Sequence, residues 1–173
     1  MLPPPIIRPA AHADISAITA IYAHAVKHGT ATFEIEPPDE REMADRFHAL
    51  TEGCFPYMAA ERNGAVLGYA YAGPYRTRIA YRYTLENSIY VAPGCRRQGV
   101  GRALMEVLIQ EAGARGFRQM VAVIGDSAQV ASIALHRAAG FKMAGTLTAV
   151  GFKFNRWLDT VLMQRPLGEG AEP

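Results

Sequence analysis

Cysteine is nearly missing from this sequence: Cys54 and Cys95 are the only two, far apart and in no CxxC arrangement. That scarcity argues against a disulfide framework or a cysteine zinc site and makes a reducing compartment the default. No run of about 18 apolar residues occurs, so no membrane-spanning helix is expected. The opening MLPPPIIRPA has no charged segment leading into a sustained apolar one, and a soluble, unexported, cytoplasmic protein is expected. Charge of one sign is also scarce. The 18 Lys and Arg against 16 Asp and Glu leave only +2, too little to argue for nucleic acid or a membrane as partner.

What is present suits one domain. The 173 residues, half of them hydrophobic, suffice for a single core. It should span about 6–166, between Pro3 to Pro5 and the tail PLGEGAEP, both without periodicity. Ile15, Ile18, Tyr22 and Val26 recur at helical spacing after Asp14, predicting a helix from Asp14 to Val26. A second helix follows Pro38, with Asp39 and Glu40 at its start and Met43, Phe47 and Leu50 as its stripe.

Three strands are predicted next, at Tyr57 to Arg62, Val66 to Tyr75 and Tyr83 to Val91, the first two joined by the hairpin signal Asn63-Gly64. Gly99 to Arg115 reads as a helix burying Val100, Leu104, Val107, Leu108 and Ala112. Met120 to Ile124 reads as a buried strand and Ser127 to Ala139 as a helix stopped by Gly140. Phe141 to Val150 and Trp157 to Gln164 read as closing strands. The order βααβββαβαββ implies an α+β fold, its mixed sheet mostly antiparallel with one parallel step.

One segment carries chemistry on its face. SIYVAPGCRRQGVGRAL sets a strand, a turn and then RRQGVG at the start of a helix. Gly99 and Gly101 permit close backbone approach, and free amides at a helix start favour an anion. Arg96, Arg97 and Arg102 add bidentate donors suited to phosphate. Between positions 76 and 102 there are six arginines and one acidic residue, Glu86. The alternative is an ordinary glycine-bearing helix entry. The pattern is neither a P-loop nor GxGxxG, so a nucleoside-diphosphate ligand held without metal fits it best.

RRQGVG resembles the Q/R-x-x-G-x-G/A signature of the GNAT acetyltransferases, and ASIALHRAAGF is similar to that superfamily's later helix. AYRYTLENSIYV, VAVIGDS and GFKFNRWLDT further resemble the phosphinothricin and methionine sulfoximine N-acetyltransferases, over about Ile7 to Arg165. The resemblance implies a GNAT-like fold, acetyl-CoA as acetyl donor, no metal, a small amino-acid-like acceptor and a homodimer. It implies that Arg97, Gln98, Gly99, Val100, Gly101 and Arg102 hold the coenzyme A pyrophosphate. Ile89, Tyr90 and Val91 would pair with the pantetheine arm as an added strand. Gln129 stands where the superfamily often has asparagine, and Ser132 is expected to share its cofactor contact.

Attack on a thioester needs a neutral amine, and Glu86 is the candidate base, the alternative being a structural ion pair with a nearby arginine. His136 stands where many GNAT enzymes have a tyrosine that can protonate the departing thiolate, and the resembling branch also has histidine there, which makes it the candidate general acid; the alternative is a packed structural histidine. Arg76 and Arg78 are candidates for the acceptor carboxylate, with Asn87 and Ser88 as further polar contacts. Their alternative is a solvated loop cluster. Tyr81, Tyr83, Phe33 and Trp157 are candidate pocket walls or core. His24 and His28 stand four apart, as two metal ligands would, with no third in view. Acetylation of a protein amine or polyamine, and a non-catalytic acetyl-CoA-binding regulatory module, are the competing functions.

Overall fold

The computed structural model describes residues 3–172. Seven strands form one sheet in the order β1-β2-β3-β4-β5-β7-β6. They are β1 (Ile6–Pro9), β2 (Tyr57–Arg62), β3 (Ala65–Pro74), β4 (Thr84–Val91), β5 (Gln119–Gly125), β6 (Lys142–Lys153) and β7 (Arg156–Pro166). The helices are α1 (Ile15–His28), α2 (Glu40–Glu52), α3 (Val100–Ala114) and α4 (Val130–Ala138). Element order and mixed pairing are as the sequence predicts. The β4–β5 pair is the parallel step.

Local chemistry explains most boundaries. Asn63 and Gly64 take φ of 53° and 78°, the left-handed pair that a two-residue β2–β3 hairpin needs. Asp39 caps α2 by accepting the Glu42 N–H at 2.8 Å. Asp14 behaves differently. Its carboxylate accepts from the Arg8 guanidinium at 2.7 and 2.8 Å and from the Ala11 N–H at 2.8 Å, so it ties β1 to the turn before α1.

Each sheet face has its own core. Val100, Leu104, Met105, Leu108 and Ala112 of α3 meet Leu85, Met120, Ala122 and Ile124 on one face. On the other, Ile18, Tyr22 and Val26 of α1 join Met43 and Phe47 of α2 against Tyr57 and Tyr69. Strand alternation therefore sends Leu85, Asn87, Ile89 and Val91 toward α3 and α4, and Glu86, Ser88 and Tyr90 toward α1 and α2.

Three expectations need correction. β5 is not buried on both faces: Met120, Ala122 and Ile124 are buried, but Val123 is 37% exposed because it borders an open cavity. The helix predicted from Ser127 starts at Val130 instead, since Asp126 is left-handed (φ 70°) and Gln129 is non-helical. Tyr81, Tyr83 and Trp157 are exposed, not core, and Trp157 packs edge-on against Phe152.

Candidate active site

β4 and β5 pair only from Thr84↔Gln119 to Asn87↔Ala122, and beyond Asn87 the two strands part. On its other edge β4 stays paired with β3 as far as Val91. Residues 88–91 thus present one main-chain edge with no strand partner among the described residues. A cavity of about 300 Å³ opens at this split. Glu86, Asn87, Ser88, Ile89 and Tyr90 form its floor, while β5, α4 and Ala31, Thr32 and Phe33 from the α1–α2 connection enclose it.

The anion-binding turn lies at the end of the same strand. Arg97 has φ 60° and Gly99 has φ 80°, so the chain coils tightly before α3 and leaves the first α3 amides unpaired along the axis. A Cβ on Gly101 would make only ordinary contacts, at 3.5 Å to Leu135 and 3.6 Å to Val91. The protein itself does not demand glycine there; a closely approaching ligand would. Gln98 braces the turn, donating to the Gly94 carbonyl and accepting from Arg62, both at 2.9 Å. Arg62 lies 36 residues from Gln98 in the chain, so no local pattern marks it as part of the turn. Arg102 is exposed and pairs with Glu106 at 2.8 Å. These features fit a diphosphate: a coiled backbone, free helix-start amides and flanking arginines.

Glu86 faces the cavity from the α1/α2 side. Burial pushes its carboxyl upward from the ordinary range, and the charge of Arg76 opposes that shift. Among the described residues Glu86 forms no salt bridge. Arg76 stacks on Tyr75, its guanidinium carbon 4.9 Å from the ring centre. Arg76 and Arg78 lie exposed in the β3–β4 connection, and neither lines the cavity.

His136, 4% exposed, is gripped from both sides. Its Nδ1 is 2.8 Å from the Ser132 carbonyl oxygen and 3.5 Å from Ser132 Oγ; its Nε2 is 2.9 Å from Asn87 Nδ2. A carbonyl can only accept, so Nδ1 carries the proton and donates it. Nε2 then offers a lone pair to the Asn87 amide. Burial lowers the imidazole's pKa, against the opposing Ser132 hydrogen bond, which keeps the ring neutral. Asn87 faces away from Glu86 and Ser88, and its Oδ1 has no hydrogen-bond partner among the described residues.

Gln129 lines the cavity but spends its Nε2 on Thr30 Oγ1 at 2.9 Å. Phe33 does wall the cavity, as one of the sequence readings held. His24 and His28 rings are 4.7 Å apart, and the described residues contain no cluster of three possible metal ligands. Thr30 lies in no motif of the sequence, and Gly151 and Lys153 belong to GFKFNRWLDT without their contacts being legible there; all three meet the cavity wall only through long-range folding.

Residues 7–162 match the family described as Acetyltransferase (GNAT) domain. A phosphinothricin N-acetyltransferase of Alcaligenes faecalis is 55% identical over 157 residues, covering 91% of this chain and 80% of that protein. An L-methionine sulfoximine/L-methionine sulfone acetyltransferase of Salmonella typhimurium is 42% identical, covering 96% and 97%. The structure of a phosphinothricin acetyltransferase from Sinorhizobium meliloti in complex with AcCoA superposes with a TM-score of 0.95 at 50% identity, covering 98% and 91%. With its split parallel pair, coiled turn and α3 amides, this chain belongs to the GNAT family of acetyl-CoA-dependent N-acetyltransferases.

Proposed function

We propose that this enzyme transfers acetyl from acetyl-CoA to the amino group of a small amino-acid analogue such as phosphinothricin, methionine sulfoximine or methionine sulfone. The observation that carries the reading is the junction of two features. Glu86, a carboxylate with no ion-pair partner among the described residues, faces a small cavity, and that cavity opens onto the edge of β4 that no described strand pairs. Relatives named for these acceptors, one sharing 55% identity, support the substrate class.

In this reading the turn Arg97 to Arg102 binds the diphosphate through amides and charge. Main-chain groups of Ile89, Tyr90 and Val91 bind the pantetheine arm, and Gln129 and Ser132 flank it. Glu86, its pKa raised, removes a proton from the acceptor ammonium, directly or through water. The freed amine attacks the thioester carbonyl; the C–N bond forms, the C–S bond breaks, and the departing thiolate takes the proton that the nitrogen sheds on becoming an amide, leaving as the thiol. Arg76 and Arg78 attract the acceptor carboxylate, and Ser88 offers it a hydroxyl.

His136 is assigned a positioning role, since its only proton is committed to the Ser132 carbonyl. A ring in that state orients Asn87 and has nothing to give a leaving thiolate.

The reading takes the chain as one cytoplasmic domain acting as a homodimer. Met143, Leu147, Val150, Phe152, Phe154 and Trp157 on the β6–β7 hairpin are 49–65% exposed, and β6 is a sheet edge, which supports self-association. Light scattering tests it: twice the chain mass is expected, and a monomer at assay concentration contradicts it.

Initial rates with both substrates varied test direct attack. Intersecting double-reciprocal lines are expected; parallel lines would signal an acyl-enzyme and overturn direct attack.

A further inference from the structure

The connection between α1 and α2 has no regular secondary structure, yet it supplies one whole wall of the cavity through Ala31, Thr32 and Phe33. Something must hold it. Thr30 Oγ1 donates to Asp126 Oδ2 at 2.9 Å and accepts from Gln129 Nε2 at 2.9 Å. Thr30 and Asp126 are 7% and 5% exposed, so this exchange is shielded from water. Asp126 also accepts from the Ala128 N–H at 2.9 Å and from Arg156 at 2.7 Å. Its left-handed backbone at the end of β5 aims the carboxylate back at the connection.

Two further contacts close around the same segment. Lys153, 3% exposed, donates to the Thr32 carbonyl at 2.9 Å. The Phe33 ring occupies space that only glycines leave open: a Cβ on Gly125 would come within 2.8 Å of it, and one on Gly151 within 2.2 Å. The connection therefore docks into a socket made by the ends of β5 and β6. Its polar latch is Thr30, Asp126 and Gln129.

We infer that this latch is a positioning device for the acceptor. Thr30 touches no cavity surface, yet it fixes the segment that does. Gln129 belongs to both sides, because it lines the cavity from the start of α4 while its amide holds Thr30. Its arm is one methylene longer than asparagine's, and that extra length is what reaches across to the connection. Loosening the latch widens the acceptor wall and leaves the α3 turn, at the far end of β4, undisturbed.

The kinetic part of the test rests on the acetyl-transfer reading; the exchange part does not. Thr30→Val keeps the shape and removes the hydroxyl, Thr30→Ser restores it, and Gln129→Asn withdraws the amide. Hydrogen exchange of amides 30–36 is followed by mass spectrometry in each purified variant, beside steady-state kinetics. Thr30→Val and Gln129→Asn should both speed exchange in the connection. Thr30→Val should raise the acceptor KM about tenfold, with kcat and the acetyl-CoA KM near normal, and Thr30→Ser should recover it. Unchanged exchange in both variants overturns the latch, and so does an equal loss in every kinetic constant. A wild-type protein that acetylates no small amino-acid analogue defeats the proposed function, while the exchange data still decide the latch. Should Thr30→Val not fold, Gln129→Asn supplies the same exchange comparison.

Discussion

His136 Nε2 and Asn87 Nδ2 meet at 2.9 Å inside the protein, and the direction of that hydrogen bond is set from behind by the Ser132 carbonyl. The bond ties α4 to β4 at the last parallel pair before the strands part, Asn87↔Ala122. In the proposed reading this buried histidine serves geometry, and Glu86, on the opposite face of β4, serves the chemistry.

Stability should report that role. The folded pKa of His136 lies below its unfolded value, so its contribution is complete above the unfolded pKa of about 6.5 and is lost as pH falls toward the folded value. Urea midpoints measured across this window should fall for wild type and fall less for His136→Gln. Equal slopes would place the pH dependence elsewhere.

Glu86 should show the opposite linkage. Burial raises its folded pKa, so its contribution is present below the unfolded value and is lost as pH rises through the folded one. Glu86→Gln should therefore melt no lower than wild type at neutral pH, by calorimetry. A clear loss of melting temperature would mean that the carboxylate makes a stabilising contact.

The same substitution should lower kcat by about 10²-fold or more while acetyl-CoA affinity stays near normal. Because the working base is the ionised form, kcat/KM should fall on the acid side with an apparent pKa above the ordinary carboxylate value. Turnover by Glu86→Gln at the wild-type rate would remove Glu86 from the chemistry.

Gly99→Ala tests the anion-binding turn. At φ 80° a Cβ meets no neighbour, so the cost is conformational, about 1–2 kcal/mol. Acetyl-CoA affinity by calorimetric titration should drop, with acceptor KM little affected. Unaltered affinity would show that the turn need not hold this conformation to bind.

Features written within a few neighbouring residues were legible in the sequence. The Asn63-Gly64 hairpin, the α3 stripe and RRQGVG each state their geometry locally, and Glu86 stood out as the lone acid among arginines. What stayed hidden is made by distance. Thr30 meets Asp126 across 96 residues and Lys153 meets Thr32 across 121, and no periodicity links such partners. Gln129 was legible as a residue type, but its bond to Thr30 was not. The Gly151 requirement likewise exists only because Phe33 arrives from another element.

The most direct measurement is coenzyme A release by the purified protein given acetyl-CoA with, separately, phosphinothricin, methionine sulfoximine, methionine sulfone, methionine and spermidine. The account predicts selective turnover with at least one of the first three and little with spermidine. Preference for spermidine, or no turnover with any of them despite acetyl-CoA binding, would contradict it.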